Sequence, residues 1–213
     1  MQKKHFFLSV LLLLPILLFS GCIYKWAKIE TPELSPASGE FKIQAPVGWV
    51  NYEGHKEQVL LTKDGTSLQY ISIMRLDYNQ AFPAMEVMIT KDTLVTELAE
   101  YFFTDFKKRY NDVQVEKIDT RPATIAGFKG FRSHLEFANA KGLLIETVAY
   151  GFVNENGYYE FEYQAPKLHY FKRDIKTFEK IVGSFKFLDE DAQKAAKKHR
   201  SSEWDDISGG GLD

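Results

Sequence analysis

The stretch that decides the fold is Phe128–Gln164, FKGFRSHLEFANAKGLLIETVAYGFVNENGYYEFEYQ. Apolar and polar residues alternate along three runs, which is typical of strands with two different faces. The Asn139–Gly142 segment separates the first two runs, and Asn156-Gly157, a strong two-residue hairpin signal, separates the last two. The stretch therefore predicts a three-stranded antiparallel meander.

The two turns predict the register of this meander. With Asn156-Gly157 in the second turn, Phe152 lies opposite Phe161. The first turn is expected to pair Phe137 with Leu144. One face then collects the apolar side chains Phe131, Leu135, Phe137, Leu144, Val148, Tyr150, Phe152, Phe161 and Tyr163. A slip of one residue would divide this set between both faces of the sheet.

The opposite face of the predicted meander is polar and carries Arg132, His134, Glu136, Thr147, Glu160 and Glu162. His134 and Glu136, two residues apart on one strand, face the same side, and Glu160 or Glu162 would add a third ligand for zinc or a transition ion. The alternative is a solvated face or a polar rim beneath a helix, with Arg132 and Glu162 as an ion pair. We favour this alternative and predict no metal, because nothing in the sequence fixes a ligand geometry.

The flanking sequence predicts further strands and two helices. The expected strands are 41–45, 59–62, 68–76, 113–118 and 184–187, and the expected helices are 93–110 and 167–183. Asp92 or Thr93 would cap the first helix, and Gly183 would end the second in a left-handed conformation. Strands and helices do not alternate as βαβ units, so the pattern indicates an α+β domain. The core is expected to include Trp49, Phe152, Phe161 and Phe185.

The N-terminus has the features of a secretion signal. Lys3 and Lys4 precede the apolar run Phe6–Phe19, which is too short to span a bilayer as a finished helix. Phe19-Ser20-Gly21-Cys22 resembles the lipobox of bacterial lipoproteins, with Phe19 where leucine is usual. The alternative is an ordinary signal peptide followed by an incidental thiol.

The lipobox resemblance implies cleavage before Cys22, so that residues 1–21 form the signal peptide. It also implies an S-diacylglyceryl group on the sulfur of Cys22 and an acyl chain, typically palmitate, on its amine. Ile23 stands where aspartate would signal retention in the inner membrane. In a Gram-negative cell this points to the periplasmic face of the outer membrane. We expect no cofactor besides this covalent lipid.

The rest of the chain divides into three predicted parts. Residues 22–40, rich in Pro, Ser and Gly, are predicted to be the lipid anchor and a flexible tether, and residues 41–188 to be the globular domain. Tyr24 and Trp26 either sit among lipid headgroups or pack on the domain. Residues 189–213 are predicted to be a polar tail without fixed structure, or a tail carrying a docking motif at 201–207.

Three segments resemble the PsbP/DcrB-like family: FKIQAPVGW at 41–49, YQAP at 163–166 and FEKIVGSFKF at 178–187. The resemblance covers most of residues 41–188. It implies a three-layer α/β/α sandwich with a mainly antiparallel sheet. The family contains photosystem accessory subunits and many bacterial lipoproteins of undefined role, and the resemblance implies no catalytic residues.

Composition and motifs argue against several classes of function. The net charge is −2 over 213 residues, with acids and bases mixed along the chain, so we predict no nucleic-acid binding. Phosphate loops, dinucleotide fingerprints, the serine-hydrolase motif and His-Glu-x-x-His do not occur in the sequence.

We therefore expect a non-enzymatic envelope lipoprotein, held at the membrane by its lipid and partnered with another envelope protein. One alternative is an envelope domain that binds a metal or a small ligand through His134, Glu136 and Glu160. A further alternative is an enzyme whose cleft the sequence does not reveal.

Overall fold

The computed structural model describes residues 26–110 and 114–189. The strands are β1 (Trp26–Lys28), β2 (Glu33–Leu34), β3 (Phe41–Gln44), β4 (Val50–Tyr52), β5 (Gln58–Thr62), β6 (Tyr70–Leu76), β7 (Val115–Ile125), β8 (Phe128–Ala138), β9 (Leu144–Asn154), β10 (Gly157–Pro166) and β11 (Lys186–Phe187). The helices are α1 (Val95–Arg109) and α2 (Lys172–Ser184), and a π-helical turn, Lys167–Phe171, precedes α2.

Eight of these strands form one antiparallel sheet in the order β1-β4-β5-β6-β10-β9-β8-β7. A smaller sheet has the order β11-β3-β2. A large antiparallel sheet with two helices confirms the predicted α+β class. The predicted strands at 41–45, 59–62 and 68–76 and both helices are present within a few residues of their expected bounds.

The predicted flexible tether is wrong from Trp26 onward, because this segment belongs to the folded domain. Trp26 pairs with Tyr52 across β1 and β4, and Glu33 pairs with Gln44 across β2 and β3. Ile29 is only 5% exposed and belongs to the core. Residues 1–25, with Cys22 and Tyr24, and the tail 190–213 lie outside the described residues.

The hairpin of β9 and β10 forms with a register two residues from the predicted one. Its turn is Glu155-Asn156, and Gly157 already pairs with Asn154. The side-chain oxygen of Asn154 accepts a hydrogen bond from the backbone N–H of Asn156 at 2.9 Å, which stabilises this turn. Phe152 therefore lies opposite Tyr159, not Phe161.

The pairing of β8 with β9 differs from the prediction by one residue. Ala138, not Phe137, is opposite Leu144. Within the loop, the side-chain oxygen of Asn139 accepts hydrogen bonds from the N–H groups of Lys141 and Leu143, both at 3.0 Å. These bonds fix a five-residue loop, and the predicted apolar set is consequently divided between the two faces of the sheet.

Each face of the meander is covered by a different helix. Phe102 of α1 packs against Phe131 of β8 with 5.5 Å between ring centroids. On the other face, Phe178 of α2 packs against Tyr150 and Tyr163, at 5.9 and 5.8 Å. Two buried apolar clusters result, one between α1 and the sheet and one between α2 and the sheet.

The four residues predicted for the core, Trp49, Phe152, Phe161 and Phe185, are each 5% exposed or less. Two helix ends differ from the prediction. The first residue before α1 is Leu94, whose N–H donates to the Glu97 carboxylate at 3.1 Å, so neither Asp92 nor Thr93 is the cap. Gly183 lies inside α2 without positive φ, and the helix ends one residue later.

Strand β7 is one edge of the large sheet. Its pairing with β8 is interrupted by a bulge between Lys117 and Asp119, which leaves Ile118 50% exposed. Pro122, within the same strand, has no backbone N–H to donate.

Candidate functional site

The sheet separates the three side chains weighed as a metal site. His134 and Glu136 lie on the α2 side, whereas Glu160, opposite Gly151, lies on the α1 side. The predicted polar face combined residues from both sides because its register was shifted by one between β8 and β9. In the part of the chain that the structure describes, no group of three or more His, Cys, Asp or Glu is placed to hold a metal ion.

His134 and Glu136 instead have partners on the α2 side. The Nε2 atom of His134 is 2.6 Å from the carboxylate of Glu146, and its ring stacks on Phe171 at 5.3 Å between centroids. Glu136 forms an ion pair with Lys167 of the π-helical turn. These contacts attach the π-helical turn before α2 to the sheet. His134 and Glu136 therefore form a polar rim beneath a helix.

The predicted ion pair of Arg132 with Glu162 does not form, because the two side chains lie on opposite faces. Arg132 donates to the Tyr150 hydroxyl at 3.1 Å and to the carboxylate of Glu179 in α2 at 3.2 Å. Glu162 lies under α1, where Arg109 is the nearby cation.

Three buried carboxylates lie between α1 and β10, beside Arg109, whose side chain is 34% exposed. We call Asp105, Arg109, Glu160 and Glu162 the buried carboxylate cluster. The three acids are 2%, 5% and 3% exposed, respectively. Sequence analysis placed both glutamates on a polar face and did not connect them with the helix. The available signal was the spacing of Asp105 and Arg109, which puts them on one side of α1.

Hydrogen bonds join the helical half of this cluster to its surroundings. The Nε of Arg109 donates to Asp105 at 2.8 Å, and its Nη2 lies 3.8 Å from the carboxylate of Glu162. The second oxygen of Asp105 accepts the backbone N–H of Ala84 at 2.8 Å. Asp105 therefore fastens the loop before α1 to the helix itself.

The strand half of the cluster is bonded by tyrosines. The Tyr158 hydroxyl donates to Glu160 at 3.0 Å, and the Tyr70 hydroxyl donates to Glu162. Burial raises the pKa of both tyrosines well above its usual value, so they remain donors at physiological pH.

Burial raises the pKa of Glu160 from 4.5 to about 7, against the attraction of Arg109 and with the repulsion of Glu162. Desolvation opposes the charge on Arg109, but Glu162, Glu160 and Asp105 together raise its pKa. Glu160 therefore exchanges its proton near neutral pH. Because α1 covers the three acids, protonation of Glu160 changes the free energy of unfolding.

An open cleft of about 530 Å³ lies at the β9–β10 hairpin. Its lining is Glu40, Lys91, Asp92, Phe128, Val153, Asn154, Glu155, Asn156, Phe187 and Leu188. Beside it, Arg75 forms ion pairs with Glu40 at 3.1 Å and with Asp77 at 2.8 Å. The residue with the strongly raised carboxyl pKa, Glu160, does not line this cleft.

In the described ranges 26–110 and 114–189, neither helix has the length and apolar character needed to cross a membrane.

No protein-family model and no curated protein matches the sequence. Solved structures share the fold. Cyanobacterial PsbP (CyanoP) from Synechocystis is 12% identical, with 79% of this chain and 96% of that chain covered and a TM-score of 0.53. The Ran-binding protein Mog1p of Saccharomyces cerevisiae is 11% identical, with coverages of 79% and 98% and a TM-score of 0.52.

A protein from Bacteroides thetaiotaomicron is 16% identical over 76% of this chain, with a TM-score of 0.48. The chain spans about half the length of that protein, 50%. At their identities the matches to CyanoP and Mog1p show the fold alone, and this fold is consistent with a PsbP-like domain.

Proposed function

We propose that this protein is a lipid-anchored protein of the cell envelope whose PsbP-like domain is a non-enzymatic accessory module of an envelope protein complex. The observation that carries the proposal is the position of Cys22 in a lipobox-like sequence. Only residues 23–25 separate it from Trp26, the first residue of β1. A lipid on Cys22 would thus hold a folded domain, rather than a long tether, at the membrane.

The location of the ionisable groups supports a binding role over an enzymatic one. Among the groups with raised pKa values, Glu160, Tyr70 and Tyr158 lie beneath α1, where the Tyr70 hydroxyl joins β6 to Glu162 of β10. Reacting groups must be reached by a substrate, usually in a concave pocket. The open cleft at the hairpin is lined by other residues.

The fold comparison supports protein binding as the role of the module. Mog1p is a Ran-binding protein, so this architecture serves there as a protein-binding domain. We propose that α1 and α2 form the outer layers of a three-layer α/β/α sandwich. Ile23 after Cys22 supports a location on the periplasmic face of the outer membrane in a Gram-negative cell.

The lipid anchor is tested by metabolic labelling with an alkyne analogue of palmitate. Wild-type protein should incorporate the label and fractionate with membranes, whereas Cys22→Ser should remain an unlabelled precursor. Ser20→Ala is the matched control, because it keeps a small residue at the cleavage site and should label normally. An unmodified Cys22 in mature protein from membranes, shown by mass spectrometry, would contradict the anchor.

The accessory role is tested by chemical cross-linking in living cells, followed by purification of the wild-type protein under denaturing conditions. We expect one discrete cross-linked envelope protein, reduced in abundance for Cys22→Ser. Recovery of uncross-linked monomer alone would contradict the proposed complex.

A further inference from the structure

We propose that the β1–β4 edge of the large sheet lies against the headgroup layer of the membrane, with Trp26 inserted at the interface. We call Trp26, Tyr52 and His55 the aromatic edge. This inference rests on the proposed lipid anchor and adds the orientation of the domain. Its occupant is the bilayer that holds the acyl chains of Cys22.

The length of chain between Cys22 and Trp26 restricts which surface can face the membrane. Four Cα–Cα steps join the two residues, and they span at most about 14 Å when fully extended. A domain of about 160 residues has a radius of gyration of about 15 Å. The anchor is therefore shorter than the domain is wide, and the surface around Trp26 must lie next to the lipid.

The side chains at this position suit an interface. Trp26 is 41% exposed although its ring packs on Tyr52, with 5.2 Å between centroids. The Tyr52 ring in turn packs on the ring of His55, with 5.0 Å between centroids. Tryptophan and tyrosine are enriched at membrane–water interfaces, where an apolar ring and a polar N–H or O–H are both accommodated.

The aromatic edge is held in place by its surroundings. The ring of Tyr52 lies over Gly54, where an added Cβ would collide with the ring atoms. The backbone carbonyl of Lys56 accepts the N–H of Ser38 at 2.7 Å, which ties the loop after β4 to the segment before β3. A preformed edge inserts without first ordering its side chains, so less entropy is lost on contact.

The charges next to the aromatic edge indicate the mode of contact. The charged residues that flank the aromatic edge in the sequence are the bases Lys25, Lys28 and Lys56 and the acids Glu30, Glu53 and Glu57. Three positive and three negative charges give no net attraction to anionic lipid. The contact therefore depends on the aromatic rings, and it should form on zwitterionic lipid and persist in salt.

The test is quenching of Trp26 fluorescence by brominated lipid. The chain 22–213 carrying Trp204→Phe is coupled through Cys22 to a maleimide lipid in phosphatidylcholine vesicles with bromine near the glycerol end of the acyl chains. Coupling by chemistry makes the result independent of lipidation in the cell. Trp49, 5% exposed, stays as an internal reference. We expect the emission of Trp26 to fall by about half, as for an interfacial tryptophan.

Two variants complete the test. Trp26→Phe should remove the quenched component and leave the emission of Trp49. Thr124→Trp, made in the Trp26→Phe background, places an exposed tryptophan on β7, seven strand spacings or about 34 Å across the sheet, and should not be quenched. Equal quenching at 26 and 124, no quenching at 26, or loss of quenching in salt would each overturn the orientation. Failure of the proposed anchor is a different result, namely absence of palmitate labelling on Cys22.

Discussion

The ring of Phe131 lies directly over Gly151, its cross-strand partner in β8 and β9. A Cβ on Gly151 would come within 2.6 Å of the Phe131 ring and within 2.6 Å of the Tyr158 hydroxyl. The absence of a side chain at this position lets the aromatic layer under α1 approach the sheet backbone.

Gly151→Ala should therefore overpack this layer and lower the free energy of unfolding by about 1–3 kcal/mol. Chemical denaturation measures the change. Gly183→Ala is the matched control, because Gly183 is a helical residue with nothing within 4 Å of an added Cβ. It should stabilise the protein by about 0.5–1 kcal/mol. A neutral Gly151→Ala would mean that Phe131 does not occupy this space.

Phe152→Ala and Phe161→Ala should each destabilise the domain by about 3–5 kcal/mol, as buried Phe→Ala changes do. Both side chains are 0% exposed, although they are not each other's cross-strand partners. The midpoint of chemical denaturation is the measurement. Leu168→Ala, at a position that is 85% exposed, serves as the control and should stay within about 0.5 kcal/mol. Unchanged midpoints for both phenylalanine variants would contradict this core.

Ile29→Ala distinguishes a folded N-terminal segment from a flexible tether. Because Ile29 is 5% exposed, its truncation should cost about 2–5 kcal/mol. Glu30→Ala changes the exposed neighbour and should cost less than about 0.5 kcal/mol. Equal melting temperatures for the wild type and Ile29→Ala would contradict a folded segment and support a flexible tether.

Glu160 should make the fold less stable as the pH rises. Its pKa is about 7 in the folded state against 4.5 for the free group. The folded protein keeps a proton that the unfolded chain releases, so this contribution is complete below about pH 4.5 and is lost as the pH rises to about 7. Each unit of pKa difference is worth about 1.4 kcal/mol.

Glu160→Gln removes this titration while keeping an acceptor for the Tyr158 hydroxyl. The difference in unfolding free energy between the wild type and Glu160→Gln should change by about 2 kcal/mol or more between about pH 4.5 and pH 8, in favour of the variant at high pH. Glu86→Gln, at an exposed site, should show no such change. Parallel pH profiles for the wild type and Glu160→Gln would contradict the raised pKa of Glu160.

The order of the main elements was predictable because local signals specify them. The helical spacing of Leu98, Phe102 and Phe106 predicts the buried face of α1, and all three are 0% exposed. The alternation of apolar and polar residues in Phe41–Gln44 likewise matches the alternating burial of β3. The turn after this strand contains Gly48, whose φ of 87° suits glycine. These features depend on residues a few positions apart.

The register of the meander was not predictable in the same way. Because both faces are covered by helices, apolar residues occur on both, and alternation does not distinguish one register from the next. The register of β8 and β9 depends on the side chain of Asn139, whose two hydrogen bonds set the loop length. The strands β1 and β2, three and two residues long, are likewise too short for a periodic signal.

The buried carboxylate cluster was not predicted from the sequence, because acidic residues on a strand normally indicate a face exposed to solvent. Glu160 and Glu162 alternate with Tyr159 and Phe161, which resembles the pattern of a half-exposed strand. Only the placement of α1, with Arg109 above β10, shows that this polar row is interior. That placement depends on contacts about 50 residues apart in the sequence.

The bulge and proline of β7 determine how copies of this domain behave when they are crowded. A straight edge strand with free amide groups is a template to which another chain can add, the first step towards fibrous aggregates. The kink at Ile118 and the missing donor of Pro122 interrupt that template along an eleven-residue strand. Growth of the sheet into a neighbouring molecule is disfavoured at this edge, so contacts made there must be formed by side chains. At high local concentration, the β7 edge therefore resists joining to the sheet of a neighbouring molecule.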